Sequence, residues 1–234
     1  MNEEQIAQPK QRLIRTFVRR EGRLTRAQEL ALVQYLPRWG VEPPPPGQCL
    51  DLDGLFGRQA PVWVDIGFGS GEALLEIARA SPDVNHLGIE VHRPGVGRLL
   101  GAMAADGPRN IRVACHDAIE VLRDWLPDAG LAGVRLFFPD PWPKKRHHKR
   151  RMVQADWAIL VARRLQPEGV LHLATDWEDY AQHMLAVLDA CPALVNCWGA
   201  GRYAPDRAGR PMTRFEQRGL DRGHRVFDLL YQRR

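Results

Sequence analysis

The chain lacks the long apolar runs and the cysteine pattern of membrane-spanning or disulfide-stabilised proteins. No stretch of its 234 residues approaches the roughly 18 uninterrupted apolar residues that a membrane-spanning helix needs. The first five residues include two glutamates and no apolar signal core, so we expect a cytoplasmic protein. The spacing of the four cysteines fits neither a zinc site nor a disulfide framework. They are Cys49, Cys115, Cys191 and Cys197.

Histidine clusters with metal-site spacing are missing as well. His147 and His148 are adjacent within a run of cations, and His172 and His183 stand alone. We therefore expect no metal. The sequence also has no internal repeat, and its length is typical of one α/β domain with a short appendage.

The positive charges are concentrated in three segments. Residues 1–34 carry a net +3, residues 144–151 carry +6 and residues 200–234 carry +5, whereas the whole chain carries only +5. The remainder is therefore acidic, with a net charge of −9. An acidic body with three basic surfaces favours a polyanionic partner, and nucleic-acid phosphate is the commonest one.

The segment 136–151 combines a strand end, a rigid turn and a block of cations. Residues 136–138 are apolar, which is typical of the end of a buried strand. Prolines at 139, 141 and 143 force the chain out of the sheet and present Asp140 at a strand's carboxyl end. Six of the eight residues 144–151 are Lys or Arg. A solvated loop is the alternative, but the position behind a rigid acid favours binding of phosphates.

From residue 61 onward, apolar β-type runs alternate with helical patterns. The predicted strands are 62–66, 85–89, 111–115, 134–138 and 170–174, and the predicted helices are 72–80, 95–105, 119–125, 152–165 and 180–189. Two further strand-like runs, 194–198 and 226–232, have no convincing helix between them and predict an antiparallel pair at one edge. The pattern predicts a doubly wound, Rossmann-like α/β fold with a mostly parallel seven-stranded sheet and helices on both faces.

Residues 1–48 are predicted to form a basic arm and a proline-rich linker, with the main domain at 49–234. Thr25 is predicted to cap a helix over about residues 26–35, with Leu30, Leu32 and Leu36 on or near one face. The residues before this helix are expected to become ordered when a partner binds. Residues 43–47 are typical of a polyproline-like spacer, with a signalling ligand as the alternative.

The first chemical motif, D-I-G-F-G-S-G-E, follows the first predicted strand and includes Asp65, Gly67 and Gly69. Glycines at a strand-to-helix turn let a ligand approach the main chain, although they also fit a simple tight turn. Glu90 ends the second strand, where an acid can bind ribose hydroxyls. Asp117 follows the third strand, within reach of an adenine amino group. The motif and the two acids together predict a nucleotide site.

Charge decides between the possible nucleotides. Asp65 and Glu72 flank the loop where a dinucleotide would place its pyrophosphate, so two anions would face a diphosphate. S-adenosylmethionine brings an ammonium and a sulfonium there and no phosphate. The spacing G-x-G-x-G also differs from the G-x-G-x-x-G of dinucleotide sites. The sequence therefore favours S-adenosylmethionine over NAD.

Three later motifs complete the predicted site. In a methyltransferase of this layout, Asp140 and Trp142 face the methyl group and can hold a planar nitrogen base, unless the turn only ends a strand and Trp142 packs in the core. Asp176 follows the fifth strand, so it joins Asp140 at the same sheet edge or caps the next helix. Residues 213–219 are polar and mixed in charge, which also fits a solvated loop.

Five segments together resemble the bacterial tRNA (guanine-N7-)-methyltransferase family. They are VDIGFG at 64–69, LGIEV at 87–91, FFPDPWPKKRH at 137–147, ATDW at 174–177 and TRFE at 213–216. The match runs in register from about Ile14 to the C-terminus, and the third and fifth segments are the most specific. The resemblance implies a class I methyltransferase fold, S-adenosyl-L-methionine as donor, and methylation of a variable-loop guanine in tRNA to 7-methylguanosine.

The resemblance also implies roles for individual residues. It places the methyl donor at Asp65, Glu90, Asp117 and Asp140, beside Gly67 and Gly69, and makes Asp140 the catalytic acid. It assigns the substrate to Lys144, Asp176, Thr213, Arg214, Phe215 and Glu216. It assigns RNA contacts to Arg146, His147, His148, Lys149, Arg150 and Arg151. Many bacterial members have Glu at the position of Asp65, so the reach to the donor is one methylene shorter here.

Three other functions are compatible with parts of the sequence. Asp-Pro-Trp resembles the Asp-Pro-Pro-Tyr type of turn that acts on exocyclic amino groups, so another base or amine could be methylated. An RNA-binding protein without turnover is disfavoured by the intact glycine loop with Glu90. A nicotinamide oxidoreductase is disfavoured by the acids around that loop. We expect tRNA as the partner, no obligatory protein partner, and a monomer or weak homodimer.

Overall fold

The strands follow the predicted alternation closely. The computed structural model of the protein describes residue 16, residues 22–221 and residues 223–234. The predicted arm lies outside the described residues up to residue 21, except for Thr16. The strands of the described part are β1 Val62–Ile66, β2 Asn85–Ile89, β3 Ile111–Ala114, β4 Leu131–Phe137, β5 Leu165–Thr175, β6 Leu194–Asn196 and β7 Phe227–Arg233.

These strands form one sheet in the order β3-β2-β1-β4-β5-β7-β6. β7 runs antiparallel to β5 and β6, and the other neighbours are parallel. The predicted antiparallel edge is thus confirmed. The carboxyl ends of β1, β2, β4 and β5 meet at one edge of the sheet, so the motifs that follow these strands are brought together there.

Two helices precede β1 in the chain, and the others lie between consecutive strands. The helices are α1 Arg26–Trp39, α2 Leu52–Phe56, α3 Glu72–Ala80, α4 Arg93–Asp106, α5 Ala118–Glu120, α6 Ala155–Arg164, α7 Glu178–Asp189 and α8 Arg214–Leu220. α5 continues into a wider π-helical turn at Val121–Trp125, and the cations at Lys145–Arg150 form a short 3₁₀ helix. Among the described residues, no helix is long and apolar enough to cross a membrane.

The prediction of no helix between the last two strands is wrong, because α8 lies there. Thr213 begins this helix as its N-cap, accepting a hydrogen bond from the Glu216 amide at 3.0 Å. The helix has only seven residues in a segment rich in arginine and glycine, so it shows no apolar periodicity in the sequence. Its Glu216 is ion-paired with Arg207 and Arg210, and a search for apolar periodicity does not detect such contacts.

α1 packs as part of the main domain. Thr25 and Gln28 form the reciprocal capping box at its start, which confirms the predicted cap. Leu32 is buried in the cluster that also holds residues of α3 and α4, whereas Leu30 is 57% exposed, so Leu30 does not belong to the predicted buried face. Val41 is buried in the central core. Residues 26–41 therefore pack with the domain that the sequence had assigned to residues 49–234.

Candidate active site

The glycine loop between β1 and α3 opens onto the carboxyl edge of the sheet. Gly67 and Gly69 have φ of 67° and 58°, values that L side chains rarely adopt. A Cβ at either position would meet nothing within 4 Å, so both backbones border open space. The loop can therefore accept a ligand directly against its main chain.

Glu90 holds this loop in place. Its carboxylate accepts a hydrogen bond from the Gly69 amide at 2.9 Å and another from the His92 amide at 2.8 Å. Each carboxylate oxygen has two lone pairs, so both oxygens keep acceptor capacity after these bonds. Glu90 lines a cavity. It thus fixes the loop and can still accept hydrogen bonds from ribose hydroxyls.

Gly95 of α4 packs closely against the Gly69 carbonyl of the glycine loop. A Cβ at Gly95 would lie 2.2 Å from the Gly69 carbonyl oxygen, so Gly95→Ala must displace the loop. We expect the affinity for S-adenosylmethionine, measured by calorimetry, to fall about tenfold or more, which is about 1.4 kcal/mol.

Gly101→Ala in the same helix is the matched control for that substitution. Its Cβ would meet only the Ala31 Cβ at 3.8 Å, an ordinary contact. We expect unchanged donor affinity and a gain in stability of up to about 1 kcal/mol, because alanine favours helices over glycine. Equal donor affinity of the two variants would refute the supporting role of Gly95.

Two cavities flank the loop. One of about 330 Å³ is lined by Gly67, Glu90, His116, Phe138 and Asp140, among others. The other, of about 260 Å³, is lined by residues that include Asp65, Gly69, Arg135 and Thr213. Four residues border both cavities: Ile66, Gly67, Phe137 and Phe138. Together they give one elongated site that crosses the ends of β1 and β4.

Asp117 lies in the chain between two residues that line the larger cavity. Its carboxylate accepts a hydrogen bond from the Ile119 amide at 2.9 Å and so caps α5. The two neighbours of Asp117, His116 and Ala118, line the cavity itself. Asp117 therefore has a structural role, with its second oxygen left for the predicted contact to an adenine.

Asp140 is presented by a strained turn. Phe138 and Trp142 have φ of 53° and 46°, left-handed values that cost roughly 1–3 kcal/mol each for residues other than glycine. The Trp142 indole donates a hydrogen bond to the Thr16 carbonyl at 3.2 Å, and the Arg150 guanidinium stacks 4.0 Å from its ring centroid. Asp140 itself is exposed at the mouth of the cavity. The turn therefore holds a rigid acid where a substrate can reach it.

The basic block divides into exposed and internal cations. Lys144, Lys145, Arg146 and Lys149 are exposed. Arg151 is 2% exposed, and this burial argues against the predicted direct contact between Arg151 and RNA. Its guanidinium donates to the Pro141 carbonyl at 2.9 Å, pairs with Asp179 and lies over the Tyr180 ring. Arg151 thus anchors the turn that carries Asp140.

The two histidines of the block are half-buried. His147 packs edge-on against Trp142, with ring centroids 5.9 Å apart. The pKa of His147 is lowered, first by desolvation and then by the surrounding cations, beginning with Arg146. His147 therefore adds little positive charge to the block at neutral pH.

The Asp176 side chain does not cap α7. The N-cap of α7 is Trp177, which makes no side-chain cap, and the Trp177 amide donates to the Thr175 hydroxyl at 3.2 Å. One Asp176 oxygen lies 3.3 Å from Nδ1 of His224. Trp177 is partly exposed beside it. This arrangement favours the predicted substrate role of Asp176 over the alternative of a helix cap.

The segment 213–216 begins at the smaller cavity with Thr213 and ends with the buried Glu216. Thr213 lines the smaller cavity. Arg214 and Phe215 form the start of α8, and their side chains lie outside the described part of the chain. Glu216 is 2% exposed, and its carboxylate pairs with Arg210 and, at 3.0 Å, with Arg207. This packing argues against direct contact between Glu216 and the substrate.

Arg210 is the centre of a buried ion-pair network that the sequence did not reveal. It bridges Glu216 of α8 to Asp228 of β7, with N–O distances of 2.6 and 2.8 Å to Asp228, and it lies over the Phe138 ring. His172 contacts Asp228 at 3.0 Å. Burial raises the pKa of the Glu216 and Asp228 carboxyls. Hydrogen bonds from Arg210 and Arg207 to Glu216, and from His172 and Arg210 to Asp228, outweigh burial and leave both pKa values lowered.

The donor set fits S-adenosylmethionine. Glycine main chain faces open space, Glu90 and Asp117 offer acceptors for a nucleoside, and Asp65 offers a carboxylate for an ammonium group. Among the described residues, no group of three or more His, Cys, Asp and Glu residues could hold a metal ion.

Comparison with known proteins places the chain among methyltransferases. A family model of methyltransferases matches residues 59–229. A tRNA (guanine-N(7)-)-methyltransferase of Alkalilimnicola ehrlichii is 58% identical over 223 residues, which cover 95% of this chain and 94% of that protein. One of Halorhodospira halophila is 54% identical over 229 residues, 98% of each chain.

A solved structure supports the fold. The 16S rRNA methyltransferase KamB superimposes with a TM-score of 0.58 and 15% sequence identity, covering 80% of this chain and 94% of that one. At this identity the likeness concerns the architecture alone. The predicted doubly wound methyltransferase fold is therefore confirmed.

Proposed function

We infer that this chain, which belongs to the tRNA (guanine-N(7)-)-methyltransferase family, transfers a methyl group from S-adenosyl-L-methionine to N7 of a guanine in tRNA. One observation carries the proposal: the cavity that borders the glycine loop and Glu90 also borders Asp140, and exposed cations follow Asp140 in the chain. In this proposal the donor site, the acceptor site and the RNA-binding surface adjoin one another.

The chemistry asks the protein for positioning more than for proton transfer. When bound, S-adenosylmethionine supplies an electrophilic methyl group on sulfur. Guanine N7 has an in-plane lone pair and no proton, so no general base is needed. The role of the protein is to hold N7 in line with that methyl group and to exclude other orientations.

Asp140 and Asp176 bind the guanine edge in this proposal. Their carboxylates accept hydrogen bonds from the N1 and N2 hydrogens, which fixes the orientation of the ring. The ring gains positive charge as N7 is alkylated, so these bonds strengthen on the way to the transition state. Thr213 lines the smaller cavity and the exposed Lys144 follows Asp140 in the chain, and we propose that both position the nucleotide.

The exposed cations Arg146 and Lys149 are proposed to bind tRNA phosphates. We expect Arg146→Gln with Lys149→Gln to weaken tRNA binding and to reduce the slope of log K against log salt by up to about 0.7–0.9 per lost phosphate contact. Arg79→Gln with Arg109→Gln removes the same charge at two exposed positions outside both cavities, in the last turn of α3 and just before β3, and should leave the slope unchanged. Equal slopes for both double variants would place the RNA elsewhere.

A substrate without N7 tests the reaction. We expect labelled methyl transfer from S-adenosylmethionine to an unmodified tRNA transcript and none to the same transcript made with 7-deazaguanosine, which still competes for binding. Methylation of the 7-deaza transcript would show that another atom is the acceptor. Chemical cleavage at 7-methylguanosine then tests whether the target lies in the variable loop, as we propose. We also propose a cytoplasmic location, since tRNA is the substrate.

A further inference from the structure

A buried polar cluster lies beneath the glycine loop, where an α/β sheet usually carries apolar side chains. It consists of Asp65 on β1, His86 on β2 and Arg135 on β4, whose side chains are 7%, 0% and 13% exposed. Strand register places Arg135 directly beside Asp65. Nη1 of Arg135 lies 3.3 Å from both carboxylate oxygens of Asp65 and 3.3 Å from Nδ1 of His86.

The cluster is electrically balanced. His86 Nε2 lies 3.2 Å from the Ser81 hydroxyl, which itself donates to the Ile77 carbonyl. This pattern fits a neutral His86 that accepts from Arg135 at Nδ1 and donates to Ser81 from Nε2. Burial would raise the pKa of the Asp65 carboxyl, but the neighbouring Arg135 charge counteracts burial, and this pKa is lowered. One anion and one cation remain, side by side.

Arg135 keeps unused hydrogen-bonding capacity. An arginine carries five N–H donors, and Nη1 supplies those that reach Asp65 and His86. Among the described residues, none accepts a hydrogen bond from Nε or Nη2 of Arg135. The guanidinium lies 4.0 Å from the centroid of the Trp63 ring, which fixes its plane. The free edge is thus held in one orientation.

The smaller cavity connects this pair to the glycine loop. Its lining includes Asp65 and Arg135 together with Gly67, Gly69 and Thr213. Glu90, the ribose-binding candidate, lines the neighbouring cavity, and Gly67 borders both. A donor with its ribose at Glu90 can therefore extend its amino-acid part along the loop to the Asp65–Arg135 pair.

We propose that Arg135 binds the α-carboxylate of the amino-acid part of the methyl donor, while Asp65 faces its ammonium group. This inference rests on the proposed function, since it assumes S-adenosylmethionine as the donor. A zwitterion matches a neighbouring carboxylate and guanidinium in sign, and charge-assisted bonds in a desolvated site are strong. Arg135 is then a binding residue that discriminates donors by their carboxylate.

Two ligands that differ only in that carboxylate test the proposal by calorimetry. They are S-adenosylhomocysteine and its decarboxylated form, S-adenosyl-3-thiopropylamine. In the unaltered protein, loss of the carboxylate is expected to weaken binding about tenfold to a hundredfold, and in Arg135→Gln about twofold or less. Arg135→Lys, which keeps a cation, should restore part of the preference.

Arg112→Gln is the control, because Arg112 is also a strand arginine stacked on an aromatic ring, Phe56, but lies outside both cavities. It should keep the full preference for the carboxylate. An equal preference for the carboxylate in the unaltered protein and in a folded Arg135→Gln would overturn the proposal. Failure of the unaltered protein to bind either ligand would overturn the donor site as well. Binding of both ligands by the unaltered protein with equal affinity would overturn the role of Arg135 but not the donor site.

Discussion

Asp140→Ala is expected to lower kcat by about a hundredfold to a thousandfold, the effect of removing one electrostatic partner of a developing charge. Asp140 is exposed at the mouth of the donor cavity and is held there by a turn with two left-handed residues, Phe138 and Trp142. In the proposed reaction, its carboxylate stabilises the positive charge that develops on the guanine ring. Steady-state methylation kinetics with tRNA and calorimetry with S-adenosylmethionine measure the two effects separately.

The affinity for the donor should fall much less than kcat in this variant, because Glu90 and the glycine loop remain. Asp83→Ala, an exposed acid in the loop between α3 and β2, is the control and should leave kcat unchanged. Near-normal turnover by Asp140→Ala would remove Asp140 from the reaction. A loss confined to donor affinity would make it a binding residue only.

Arg210→Met is expected to destabilise the fold by about 3–5 kcal/mol, the usual cost of removing one partner from a buried ion-pair network. Glu216 and Asp228 would both stay buried without the buried cation that they share. Since Arg210 also lies over Phe138, the turn before Asp140 would lose support at the same time. Urea unfolding at neutral pH measures the loss.

Arg207→Met provides the matched control for this network. Arg207 also pairs with Glu216, but it is 42% exposed, so its removal should cost only about 0–1 kcal/mol. Equal costs for the two substitutions would contradict the central role of Arg210. Arg210→Lys, which keeps the charge without the planar fork, should lie between them.

The difference in free energy of unfolding between Arg210→Met and the unaltered protein should shrink as the pH falls. The lowered pKa values of Glu216 and Asp228 mean that the network stabilises the fold above the pKa of the unfolded carboxyls, near 4, and that this contribution is lost as pH falls through the folded values. Without Arg210, protonation of the two buried carboxyls removes their unpaired charges and therefore stabilises the folded variant. A pH-independent difference would show that the network is not ionic.

Sequence patterns predict the strand-and-helix framework well, because it depends on local periodicity. β1, β2 and α3 begin and end at the predicted residues, and the glycine loop and Glu90 lie together as expected. β5 begins five residues before its predicted start, since its first residues are mostly polar and exposed. α8 was missed because its residues form no apolar face in the sequence.

The individual roles of charged residues could not be predicted, because burial depends on partners far along the chain. Arg151 looks like its neighbours in the basic block, yet Asp179 and Tyr180 enclose it. Glu216 looks like a solvated acid until Arg210 and Asp228 are brought beside it. Arg135 lies in an apolar strand, and only the register of β4 with β1 pairs it with Asp65. Strand register was the missing information in this last case.

The most direct measurement of the central claim is nucleoside mass spectrometry of the product. Purified protein is incubated with S-adenosylmethionine and unmodified tRNA transcripts, and the RNA is digested to nucleosides. The proposed function predicts 7-methylguanosine, formed by the unaltered protein and strongly reduced with Asp140→Ala. A different methylated nucleoside, or none from protein that binds both donor and tRNA, would contradict it.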